Sequence, residues 1–243
     1  MIVSLISRPD EVAAALEYDA PAFAAHANEM LEGADPLNVL RWAAGAFGNC
    51  LVVTASMSDT VLAHVAARAV PGVNMLFVDT GYHFAETLRT ADAVEALYPV
   101  RLVTIRAKES VEEHEASVGK LYKTNPDACC ALRKVAPLDN ALRGYRAWVS
   151  GLRRADSPER AATPTVRWDA KRGLLKLAPI VGWTDEDVEA YQEANPDVLA
   201  NPLAKLGYRS IGCGPCTRAV HFGEDARAGR WAGQAKTECG IHL

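Results

Sequence analysis

What most constrains this chain is an alternation of short β-branched runs with longer stretches of helical spacing. Residues 50–54 (CLVVT), 74–79 (NMLFVD) and 100–105 read as strands, the first two buried, and 60–70 and 85–97 between them carry apolar residues at helical spacing. This order implies βαβ units and a mostly parallel, twisted sheet flanked by helices. Ligands of such sheets bind outside the carboxyl ends of the strands. The polar turns after Thr54 and Asp79 are therefore candidate site loops.

The flanking regions extend this α/β pattern. Residues 11–18, 21–31 and 37–47 read as packing helices, giving an N-terminal helical part over about 1–48. Beyond the third strand, 129–142 has helical periodicity and 147–150 reads as a fourth strand. Residues 165–168 and 174–177 read as an edge hairpin through Gly173. Thr184 to Asp187 (TDED) caps a helix with an acidic first turn that runs to Ala194. From about 203 to 243 regular periodicity fades and Gly, Cys, Arg and Lys become frequent, as in a site-bearing segment of the same domain. The whole chain, 1–243, reads as one domain.

Composition removes several function classes. With 49% apolar and 23% charged residues the chain is neither collagen-like nor disordered, and a net charge of −4 gives no polybasic footprint for nucleic acid or anionic lipid. The opening MIVSLISRPD lacks the basic start and apolar run of a signal peptide. No window approaches the roughly 20 apolar residues of a membrane span. The expectation is a soluble cytoplasmic protein without nucleic-acid or membrane partners. In that compartment disulfides are rare and clustered cysteines are more often metal-binding or catalytic.

Six cysteines make that expectation useful. Cys213-Gly214-Pro215-Cys216 is a CxxC in an enforced turn, compatible with half a zinc site, a redox dithiol or part of an iron–sulfur site. Upstream, Cys129 and Cys130 are adjacent and open a helix. Adjacent cysteines point their sulfurs apart, which suits a four-iron cluster taking one sulfur per iron better than a single small ion. Ordinary buried thiols are the alternative. Cys50, on an apolar strand, reads as packing. Cys239 lies near the C-terminus between Lys236 and His242, an electropositive setting that suits a nucleophile; an inert terminus is the alternative. Basic residues in loop contexts, Arg153, Arg154 and Arg160, Arg227 and Arg230, and Lys134, suggest a site for a phosphate- or sulfate-like anion, against the alternative of a solvated face.

Together these segments resemble the iron–sulfur branch of the adenylyl-sulfate (APS) and phosphoadenylyl-sulfate (PAPS) reductase family. The resemblance runs from Cys50 onward and rests on LFVDTGYHFAET, CCALRKVAPL, AWVSGLRRADSPERA, IGCGPCT, GEDARAGRW and KTECGIHL in that order. The cluster-free PAPS reductases resemble the rest but lack the doubled cysteine and the CxxC.

The resemblance implies an adenine nucleotide α-hydrolase-like fold with a mobile C-terminal tail. Cys129, Cys130, Cys213 and Cys216 match the ligands of one 4Fe-4S cluster, Lys134 the lysine between cluster and sulfate, and Cys239 the nucleophile. Arg153, Arg154, Arg160, Arg227 and Arg230 become candidates for the sulfate and phosphate oxygens, and His242 for a contact near the nucleophile. Thr80 and Gly81 would lie near the adenosine. The turn bearing Ser56 and Asp59 takes the place of the nucleotide-binding loop, with Ser58 where the family commonly carries Glu. The implied reaction is thioredoxin-dependent reduction of APS to sulfite and AMP through an S-sulfocysteine, in sulfate assimilation and cysteine biosynthesis. The alternatives are a PAPS-preferring reductase and a zinc-structured, nucleotide-binding ATP ligase of the same fold. Self-association into a homo-oligomer is left open by the sequence.

Overall fold

The computed structural model describes residues 8–241. Six strands form one sheet: β1 (Leu51–Thr54), β2 (Val73–Asp79), β3 (Val100–Arg106), β4 (Ala147–Val149), β5 (Val166–Asp169) and β6 (Leu174–Leu177), in the order β3-β2-β1-β4-β6-β5. All neighbours are parallel except β5 and β6. The expected hairpin through Gly173 forms, but of its two strands β5 alone lies at an edge of the sheet. β6 pairs with β4 on its other side and is buried along its whole length.

Side chains alternate across the sheet with the period of two that a strand dictates. On one face Leu51, Val53, Met75, Phe77 and Val149 pack with α1 (Pro9–Leu31), α2 (Pro36–Phe47) and α3 (Val61–Ala69). On the other, Val52, Leu76 and Trp148 meet Leu138 and Leu142. α1 kinks at Asp19 (φ −155°, ψ 84°), two residues before Pro21. Pro21 has no N–H to bond the preceding turn, and the Asp19 carboxylate caps the second half by accepting from Ala22 N.

α4 (Ala85–Leu97) connects β2 to β3, and α9 (Asp185–Ala194) carries the expected capping box between Thr184 and Asp187. Between β3 and β4 lie α5 (Val111–Val118), α6 (Leu121–Thr124), α7 (Pro126–Cys130), a π-helical segment Ala131–Val135, and α8 (Ala136–Ala141). Sequence periodicity missed α5; its signal was local, a Ser110/Glu113 capping box. The π segment has a chemical cause. Pro137 cannot donate to the Arg133 carbonyl and its ring would crowd it, so the helix widens by one residue ahead of the proline.

Candidate active site

β1 sits between β2 and β4, so the chain leaves it toward one side of the sheet and returns from β3 to the other. The loops after β1 and β4 diverge at this switch point and open a crevice. The first loop, 55–60, turns sharply: Met57 is buried with φ 58°, a left-handed conformation rare outside glycine. Ser56 Oγ accepts from Ser58 N at 3.4 Å, and Asp59 Oδ1 accepts from Val61 N at the start of α3. Asn201, 1% exposed, fastens the loop from behind by donating to Met57 O (2.8 Å) and Thr87 Oγ1 (3.2 Å).

The loop after β2 is fixed by its own side chains. Asp79 Oδ1 accepts from Gly81 N, and Asp79 Oδ2 pairs with Arg106 Nε at 3.0 Å. Gly81 has φ 78°, and a Cβ there would lie 2.5 Å from Val111 and 3.0 Å from the Arg133 guanidinium. Arg133 is buried and donates to the carbonyls of Thr80, Glu109 and Ser110. The C-terminal segment docks on this loop: Gly214 N donates to Tyr82 O at 2.7 Å, and Thr80 Oγ1 lies 3.2 Å from Cys213 Sγ.

That docking brings residues some eighty positions apart into one place. Cys129 and Cys130 from α7 line a cavity with Cys213 and Cys216, together with Lys134, Arg230 and Trp231; its empty space, partly open to solvent, is about 420 Å³. Burial, then repulsion from the Cys130, Cys213 and Cys216 thiolates, pushes Cys129 up to about 12. Burial likewise raises Cys130 to about 11. Burial raises Cys216 as well, so these thiols resist ionising together and a bound cation would favour their thiolates. Two buried donors on residues that line the same cavity, Arg230 Nε and Trp231 Nε1, have no acceptor among the described residues. No three His, Cys, Asp or Glu side chains among the described residues converge on a single ion. A group that takes thiolate ligands and offers acceptors to those N–H groups would suit this lining.

The tail folds back over this cavity. Lys236 pairs with Asp127 of α7, and its Nζ stands 5.3 Å over the Trp231 ring. Ile241 packs with the Leu138 and Leu142 cluster. Cys239 is half-buried between them. Burial works against its thiolate, but Lys134, the Ile241 N–H and Arg230 outweigh it and hold the thiol below its usual value. Lys134 is correspondingly raised: burial opposes its charge, and the Cys239 and Cys213 thiolates overcome that.

The structure does not gather all the arginines. Arg230 joins the cysteines, its guanidinium 4.5 Å from the Trp231 ring. Arg160 and Arg227 meet on Glu238 of the tail. Arg153 pairs with Asp156 and Asp185, while Arg154 turns away to Glu32 of α1 at 2.6 Å. His242 lies outside the described residues. Cys50, read as a packing residue on the first strand, instead ends the 3-10 turn Gly48–Cys50 just before β1 and is half-buried; its carbonyl accepts from Arg146 N beside β4. Sequence reasoning missed Arg133, Asn201 and Ser150. Ser150, 1% exposed at the crevice end of β4, has a hydroxyl without a partner among the described residues.

Comparison with known proteins agrees with this layout. The pattern of the phosphoadenosine phosphosulfate reductase domain matches residues 49–219. An adenosine 5'-phosphosulfate reductase of Streptomyces coelicolor is 55% identical, over 91% of this chain and 94% of its own length. One from Mycolicibacterium smegmatis is 51% identical over 88% and 90%. The crystal structure of phosphoadenylyl-sulfate reductase from Candida auris, a phosphate complex, superposes with a TM-score of 0.67 at 30% identity, covering 79% of this chain and 94% of that one. Candida glabrata FMN adenylyltransferase shares the fold alone, with a TM-score of 0.52 at 11% identity over 86% of this chain and 73% of that one. No described helix is long and apolar enough to cross a membrane. With the switch-point loops, the thiol cavity and these relatives in agreement, the chain belongs to the phosphoadenosine phosphosulfate reductase family.

Proposed function

We propose that this protein is a cytoplasmic, thioredoxin-dependent reductase of adenylyl sulfate, releasing sulfite and AMP in sulfate assimilation and cysteine biosynthesis. The observation that carries the reading is the placement of Cys239, its thiol held low, within electrostatic reach of Lys134 and Arg230, which line the cavity of Cys129, Cys130, Cys213 and Cys216. The relatives' names supply the substrate. In the first step the Cys239 thiolate attacks the sulfate sulfur. A sulfur–sulfur bond forms, the sulfur–oxygen bond to phosphate breaks, and AMP leaves with that electron pair. A dithiol reductant then attacks Cys239 Sγ, expelling sulfite with the bonding pair. Its second thiol resolves the mixed disulfide, leaving Cys239 free and the reductant oxidised.

Lys134 and Arg230 neutralise the sulfonate oxygens as charge shifts toward the leaving phosphate, and the 55–60 and 80–84 loops orient the nucleotide. Arg153, Arg160 and Arg227 line its approach; Arg154, committed to Glu32, contributes through the fold of its loop. Ser56, Asp59, Thr80 and Gly81 border the nucleoside, and His242 is a candidate for a contact near the nucleophile. Cys129, Cys130, Cys213 and Cys216 would hold a 4Fe-4S cluster. When bound, the cluster supplies a fixed electrostatic field beside the sulfate.

The test is anaerobic release of sulfite and AMP from APS with thioredoxin, compared with PAPS. APS turnover well above PAPS turnover is expected; equal or faster turnover of PAPS overturns the preference. Cys239→Ser should abolish the sulfonated intermediate on intact protein mass while keeping nucleotide affinity. The purified protein should be brown from iron–thiolate absorption, and a colourless anaerobic preparation with stoichiometric zinc would refute the cluster.

A further inference from the structure

Glu238 immediately precedes the nucleophile and holds more ionic contacts than any other described residue of the tail. Arg160 meets it side-on, Nε to Oε1 at 2.9 Å and Nη2 to Oε2 at 2.9 Å. From the other direction Arg227 Nη2 lies 3.3 Å from Oε1 and donates to Thr237 O at 2.8 Å. The three side chains are only 12–16% exposed. The clamp continues inward, since Arg160 Nη1 reaches Asp156 Oδ2 at 2.8 Å and Asp156 Oδ1 pairs with Arg153 at 2.9 Å. Alternating charges thus run from the tail through the loop after β4 to Asp185 at the start of α9.

We propose that Glu238 is the positioning residue that latches the nucleophile-bearing tail to the loop after β4, and that opening this clamp separates the closed state from the state a protein reductant can reach. Bidentate arginine–carboxylate pairs are directional as well as strong, so the clamp fixes where the next residue, Cys239, sits. Removing the carboxylate takes away the group that ties Arg160 and Arg227 to the tail, while Asp156 and Glu159 of the loop remain beside these arginines; the loop keeps its counter-charges and the tail loses its tie, which favours release of the tail. The charged groups around the clamp include Arg153, Asp156 and Glu159 from the loop after β4, Arg167 of β5, Lys176 of β6 and Arg227 from the segment before the tail. Lys236 holds the far side on Asp127, so release pivots there. The consequence for turnover rests on the nucleophile role proposed above; the clamp does not.

The test is hydrogen–deuterium exchange of amides 232–241 in the nucleotide-free protein at fixed pH, for the parent, Glu238→Gln and Glu238→Asp. The Gln variant should exchange in the tail roughly tenfold faster or more, and Asp, which keeps the charge on a shorter stem, should recover part of that protection. Amides of β1, β2 and β4 should be unchanged, which separates tail release from unfolding. Tail exchange in Glu238→Gln within about twofold of the parent, or equal loss in Gln and Asp, would overturn the clamp. A second arm measures sulfonation of Cys239 by APS, expected to fall in kcat more than it rises in KM. Because the exchange arm uses no nucleotide, failure of the parent to form the sulfonated thiol would refute the nucleophile role while leaving the exchange result to decide the latch.

Discussion

Gly81 shows how much one atom can decide. Its φ of 78° disfavours any L side chain by about 1–2 kcal/mol, and a Cβ would lie 2.5 Å from Val111 and press on the guanidinium of Arg133. Gly81→Ala should therefore lower thermal stability by several degrees and raise the KM for nucleotide more than it lowers kcat; an unchanged melting temperature and KM would refute the crowding. At this scale the sequence was legible wherever chemistry is rare and spacing tight. The doubled cysteine, the CxxC and Lys134 line one cavity, and the C-terminal cysteine lies within electrostatic reach of Lys134. Arg133 was not legible, because its task is to hold three carbonyls and any buried arginine beside a folded loop could do that. The arginines near Arg153 were read as a site for a phosphate- or sulfate-like anion, whereas the structure pairs them with carboxylates from α1, α9 and the tail; that pairing was not legible, since only folding brings Glu32, Asp185 and Glu238 to them.

Among elements, Asn201 joins three that no local pattern connects: the loop after β1, α4 and the segment that leads to the CxxC. Its amide donates to Met57 O and Thr87 Oγ1, and its carbonyl accepts from Leu203 N. Asn201→Ala leaves these buried groups unpaired, so we expect a loss of about 1–3 kcal/mol in stability. The relaxed Met57 turn should add a severalfold rise in nucleotide KM; denaturant titration and steady-state kinetics check both. β1, β2, β3 and α4 were legible to within a residue or two because each is bounded by clear breakers. α5 and the π segment were not. α5 is only 8 residues long against 13 for α4 and has one buried side chain, His114, and the π segment depends on how one proline meets the preceding turn, which periodicity averages away.

Across the whole molecule, the four clustered thiols come from two segments that sequence separates and the sheet reunites. A group held between α7 and the C-terminal segment would act as a cross-link closing a long loop, so its removal should loosen that segment far more than the core. Oxidative removal of iron with a chelator is expected to raise exchange and protease cleavage across 203–241 while β1, β2 and β4 stay protected; uniform loosening, or none, would contradict it. That the chain is an α/β unit with a mostly parallel sheet was legible from alternation alone. The closed tail was not, because Glu238, Lys236 and Ile241 are individually unremarkable and act only through partners far along the chain. The widened turn at Ala131–Val135 has a consequence for the molecule's tolerance of length change. Each residue of an α-helix advances the azimuth by about 100°. Deleting one residue there would keep α8 anchored through Leu138 but swing the twin thiols of α7 out of phase with the CxxC, so the extra residue acts as a phase-setting insertion between the sheet and the cysteines.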